Sequence, residues 1–154
     1  MEPTRLVLLI TLIVAWPHVA WTQQRFVRVE GGVTAVHNEV LPSAGIHFLL
    51  PLSKRQPTRL DIGAFVDRHA LSADVGVSSR MPTNSRLGLI LRGGGGLLFE
   101  AEWRGPYVRA GTGLDWRLSP TLSVGFTLDA GVHDGLGGPY RLMISVVRQV
   151  RPGV

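Results

Sequence analysis

Hydrophobic and polar positions alternate through most of this chain, and the alternation stops and restarts eight times. The hairpin Thr58 to Arg80 shows it most plainly. Leu60, Ile62, Ala64 and Val66 alternate with Arg59, Asp61, Gly63 and Asp67, with Phe65 as the one large apolar exception. After a short break Leu71, Ala73, Val75 and Val77 alternate with Ser72, Asp74, Gly76 and Ser78. Successive side chains of a strand point to opposite faces, so each run has one apolar face and one charged or small face. Two strands cannot bury such a face alone.

The other runs read the same way. Strand one covers about Arg25 to Val36, and strand two about Ser43 to Leu52 with Ser43, Gly45, His47 and Leu49 on its non-lipophilic parity. A polar turn closed by Pro57 leads into the hairpin, and Met81 to Ser85 form the next turn. Strand five starts at Arg86 and meets Gly93 to Gly96, which predicts a bend or a hairpin tip before Leu97, Phe99, Ala101 and Trp103 resume the pattern. Strand six covers about Pro106 to Arg117, strand seven Leu122 to His133, and strand eight about Tyr140 to Val150. No window after residue 22 sustains a helical repeat. Short strands at regular spacing with turn signals between them predict an all-β barrel or sandwich.

Composition sharpens this picture. The chain has 154 residues, 19 glycines, no cysteine and 18% charged residues, which suits a β-rich domain without disulfides. The formal charge is +5, carried almost wholly by arginine, with Lys54 the only lysine. The arginines are scattered singly, often beside acids, so nucleic acid is not the expected partner. Leu6 to Trp16 is an apolar run of about eleven residues behind Arg5, broken by Pro17. That is well short of the roughly 20 needed to cross a bilayer as a helix. It predicts a signal peptide over residues 1–22, cut after Ala20 or Thr22, leaving 23–154 as one β-barrel domain.

The polar face argues for one of two inside-out arrangements. A water-facing strand usually carries long solubilising side chains, whereas here that face is Gly, Ser, Asp, Glu and Arg. Arg28, Arg59, Arg92, Arg109 and Arg141 can be matched by Glu30, Asp61, Asp67, Asp74, Glu100, Asp115 and Asp129. Small residues with paired charges suit a narrow lumen, while the apolar face meets lipid. The expected architecture is therefore an eight-stranded antiparallel up-and-down barrel with a lumen plugged by Arg/carboxylate pairs. The competing reading is a soluble exported β-barrel that binds a small apolar ligand, with Leu60, Ile62, Val124, Phe126 and Leu128 lining its cavity. Trp103, Tyr107, Trp116 and Tyr140 lie near strand ends and form either a partial aromatic girdle or core aromatics.

On the phrases RFVRVEGGV, YVRAGTGLDWRLSPTLSVGFTLDAGVH and DGLGGPYRLMISVV, the chain resembles the small eight-stranded bacterial outer-membrane barrels, the class of the OmpA transmembrane domain and OmpX. The resemblance covers roughly residues 25 to 150. It implies a bacterial outer-membrane location, periplasmic termini, contact with outer-membrane lipid and folding by the barrel assembly machinery, as a monomer.

Candidate chemistry is sparse. His69, Ser72 and Asp74 have the residue types of a hydrolase, but a hairpin-tip histidine and lumen polar groups explain them better. Some small barrels of this class modify lipid A, which keeps a lipid-modifying enzyme as a further alternative, requiring His, Ser and an acid to converge at one rim. His133 and Asp134 are too few for a metal site. Gly93 to Gly96 lack the Lys-Ser/Thr and helix of a phosphate loop. No catalytic residue, metal or cofactor is expected, and the expected role is structural or surface-interacting.

Overall fold

The computed structural model describes residues 25–36, 39–52, 57–100, 104–133 and 136–150, and the expected signal peptide, 1–22, lies outside the described residues. Eight strands follow in chain order: β1 (Arg25–Val36), β2 (Glu39–Pro51), β3 (Thr58–Asp67), β4 (Ala70–Pro82), β5 (Leu87–Glu100), β6 (Arg104–Ser119), β7 (Leu122–His133) and β8 (Leu136–Val150). Each pairs antiparallel with its sequence neighbours, and β8 returns to β1 from Arg25 opposite Val150 to Ala35 opposite Tyr140. Closure leaves no open sheet edge. The fold is a closed up-and-down barrel.

The alternation resolves into an outside and an inside. Val29, Ile46, Val66, Val75, Leu97, Val108, Phe126 and Ile144, one from each strand, are exposed. Arg28, Glu30, Asp61, Asp74, Arg92 and Asp129 are buried. A water-soluble barrel would do the reverse. Asp61, Asp74 and Asp129 are 1%, 4% and 1% exposed, which places them in the lumen. Phe126 and Leu128 are 47% and 51% exposed. They face outward, so the cavity lining expected of a soluble ligand-binding barrel does not form from them.

One expectation changes in part, and the aromatic side chains find their places. Of the bend or hairpin tip expected at Gly93 to Gly96, the tip does not form, because β5 passes through the run, paired with β4 on one side and β6 on the other. Side chains at Gly94 and Gly96 would strike the β4 backbone at Val75 and Ala73. The run thus brings two strands together with nothing between them, and only residues 101–103 separate β5 from β6. Phe65 breaks the apolar parity of β3 because it points inward and is 2% exposed. Tyr107, expected near a girdle or core, is inside the lumen, whereas Trp116 and Tyr140 face out; Trp103 lies outside the described residues.

A candidate site inside the barrel

Eight strands enclose an interior only wide enough for side chains, so large residues there need small ones opposite. The cross-strand register supplies them. Glu30 faces Gly45, Asp61 faces Gly76, Asp115 faces Gly88, and Arg109 faces Gly94. Gly111 of β6 faces both Arg92 of β5 and Asp129 of β7. It is the gap across which those two charges meet: a Cβ at Gly111 would strike the Asp129 carboxylate. A Cβ at Gly63 would likewise strike the His47 ring.

The middle of the lumen is one connected cluster. Arg92 donates from Nη1 to Glu30 Oε1 at 2.6 Å, from Nε to Asp129 Oδ1 at 2.6 Å, and from Nη2 to Thr127 Oγ1 at 2.9 Å. A further bond joins Arg92 Nη2 to Asp129 Oδ2. Arg28 donates from Nη1 to Asp61 Oδ2 at 2.9 Å and lies 3.6 Å from Glu30. His47 Nδ1 is 2.6 Å from Asp61 Oδ1. A buried charge is tolerated when paired and hydrogen-bonded, and these are both.

A second cluster sits toward the end opposite the termini. Tyr107 donates its hydroxyl to Asp74, and Arg109 Nε lies 3.2 Å from the same carboxylate. Arg141 donates to Ser72 Oγ at 3.3 Å and stacks over Phe65, 4.3 Å from the ring centre. The Phe65 ring also meets His47 edge-on at 4.7 Å. A third group lies toward the terminus-bearing end, where Arg80 donates from Nε to Asp115 Oδ2 at 2.5 Å. There Arg59 stacks over Phe26, 3.9 Å from the ring centre.

The lumen residues named from the sequence therefore fall in different places. Arg28, Glu30, Asp61, Asp74, Arg92, Arg109, Asp115, Asp129 and Arg141 are buried in the three groups. Arg59 is half-buried at one mouth, and Glu100 is half-buried at the far end of β5. Asp67 caps the β3–β4 turn, its Oδ1 accepting from the backbone N–H groups of His69 and Ala70 at 2.9 and 2.8 Å. His47, Phe65, Arg80 and Tyr107 were missed, although Phe65, Arg80 and Tyr107 share a strand parity with residues that were named; β2, which carries His47, supplied none. The same alternation that selects Asp74 selects Arg80; polarity alone was too narrow a filter, because aromatic rings also serve as partners for guanidinium groups.

The residue types of a hydrolase do not converge. His69 is half exposed beside Glu39 at 3.4 Å, Ser72 accepts from Arg141, and Asp74 takes Tyr107 and Arg109. Among the described residues no group of three or more His, Cys, Asp or Glu is placed to hold a metal.

No family model matches the chain, and no curated protein matches it in sequence. Solved structures do match in shape. A designed transmembrane β-barrel superposes with a TM-score of 0.61 at 17% identity, over 85% of this chain and 98% of that one. The N-terminal β-barrel domain of Pseudomonas aeruginosa OprF gives 0.56 at 14% identity, over 83% and 99%. The outer membrane enzyme PagL gives 0.55 at 15% identity, over 81% and 99%. The fold is that of the small eight-stranded outer-membrane barrels. A designed protein, a domain of a natural one and an enzyme share it, so the barrel itself specifies no activity.

Proposed function

We propose that this chain is a bacterial outer-membrane barrel with a structural or surface-interaction role and no catalysis. The observation that carries the reading is the inversion of the fold: large apolar side chains are exposed on all eight strands, while nine charged side chains are buried inside. Exposed apolar surface of that extent is stable against hydrocarbon and aggregates in water. On this reading an N-terminal signal exports the chain, the barrel assembly machinery inserts it, and a monomer sits with Val29, Phe126 and Ile144 against lipid.

A closed lumen is part of this reading. Four arginines and five carboxylates are buried across the bore and bonded between strands, which supports a lumen closed to solutes. The connections opposite the termini support a structural role, since two residues separate β1 from β2, β3 from β4, and β7 from β8. Strand connections that short offer little surface for grasping a ligand.

The test is fractionation of expressing cells, together with gel migration of the detergent-folded protein before and after boiling. Outer-membrane recovery and heat-dependent migration are expected. Recovery as a soluble periplasmic protein would overturn the reading.

A further inference from the structure

We propose that the mouth of the barrel at the terminus-bearing end is a binding site for a phosphate-class oxyanion, gripped by Arg59 and Arg117 with Arg80 beside them. The mouth holds a cavity of about 400 Å³ walled by Arg28, Arg59, Arg80 and Arg117, with Asp115 its sole carboxylate among the described residues. A second hollow of about 350 Å³ adjoins it and shares Arg59, Arg80 and Arg117.

This imbalance is local. In the central cluster Glu30, Asp61 and Asp129 outnumber Arg28 and Arg92, so positive charge is fully met there. At the mouth it is not. Arg28 spends its charge on Asp61 and Glu30, and Arg80 spends its own on Asp115. Among the described residues neither Arg59 nor Arg117 makes an ion pair with a carboxylate, and both share the cavity wall with Arg28 and Arg80. Like charges held this close repel, and an anion among them removes the repulsion.

The Arg59 and Arg117 guanidinium groups are also free to bind, whereas Arg80 is held by Asp115 and by the Arg86 carbonyl. Phe26 holds the flat face of Arg59 at 3.9 Å, which orients the group while leaving its N–H edge unused. Arg117 is exposed. Ser123 and Gln149 add neutral polar groups to the wall. Guanidinium groups pair with phosphate oxygens through two parallel N–H bonds, so three of them around one chamber select a multivalent oxyanion over a chloride-like point charge. The chamber exceeds a bare phosphate ion and falls in the range of small-ligand sites, so it also admits a phosphorylated small molecule or a lipid headgroup.

The site rests on the lumen geometry, so its test is independent of cellular location. The protein, folded in a non-ionic detergent at low salt, is titrated calorimetrically with inorganic phosphate and with glycerol phosphate. Its retention of phosphatidylglycerol against phosphatidylcholine is measured in parallel by native mass spectrometry. Saturable phosphate binding supports a site for the free ion, and retention of phosphatidylglycerol alone supports the same site with a headgroup as its source. The double variant Arg59→Gln/Arg117→Gln should weaken binding at least tenfold while keeping heat-dependent gel migration. Arg68→Gln/Arg104→Gln, at the opposite end, should leave it unchanged. If neither phosphate nor the anionic headgroup binds saturably, or if the Arg59/Arg117 variant binds as well as the parent, the proposal is wrong.

Discussion

Replacing Arg92 with Met tests whether the lumen is a dry, charge-paired interior. Arg92 is 5% exposed and bonds to carboxylates from two strands, Glu30 of β1 and Asp129 of β7, as well as to Thr127. Its removal affects the two acids unequally. Glu30 keeps Arg28 at 3.6 Å and His47 at 3.9 Å. Asp129, 1% exposed, loses both of its Arg92 contacts and keeps its desolvation cost. Removing one partner of a buried pair costs about 3–5 kcal/mol, chiefly from the charge left behind. The Arg92→Met barrel should therefore lose about 3–5 kcal/mol in urea unfolding followed by tryptophan fluorescence, provided the slope against urea is unchanged. Adding Asp129→Asn to that background removes the orphaned charge and should restore at least about 1 kcal/mol, a coupling typical of contacting residues. A loss below about 1 kcal/mol for Arg92→Met, the size expected of an exposed pair, would mean that water already solvates these groups. The closed-lumen reading would then fall.

Three further substitutions address other parts of the architecture. Gly111→Val places side-chain atoms where Asp129 crosses to Arg92, and should destabilise by about 1–3 kcal/mol or more in the same urea assay; neutrality would mean the pair does not cross at Gly111. Ile144→Arg, in the middle of β8 and 62% exposed, should cost about 2–4 kcal/mol in a bilayer if it faces lipid. A change within about 0.5 kcal/mol would instead match a water-facing site. Tyr107→Phe deletes the hydroxyl that bonds to Asp74 and should cost about 1–3 kcal/mol, with the parent gel migration retained; an unchanged midpoint would count against that bond.

Strand count, strand order and the split into two faces were legible in the sequence, because period-two alternation is a local property of the backbone. Leu122 to His133 displays both faces of β7 to within its observed bounds. Direction was less legible. A barrel and its inside-out counterpart share the alternation of Leu128 and Asp129, and only closure of β8 onto β1 establishes that Asp129 points inward and Leu128 outward. Gly93 to Gly96 was ambiguous for a related reason: a glycine run read alone fits a hairpin tip or a strand, and between β4 and β6 it is strand, because what it lacks is bulk and not backbone pairing.

The sequence by itself determined that this chain forms eight amphipathic strands with small and charged residues sharing one face. Tertiary structure decided which charges become partners. Arg92 and Asp129 lie 37 positions apart and on strands that are not paired, and they meet because the register puts Gly111 between them. Register is set by closure of the whole ring, so no local window of sequence contains it. The same closure gathers Arg59, Arg80 and Arg117 from three strands around one mouth, with Asp115 as the single acid in its wall among the described residues. Scattered singly along the chain, those arginines look unremarkable; brought to one rim, they leave positive charge that calls for an anion.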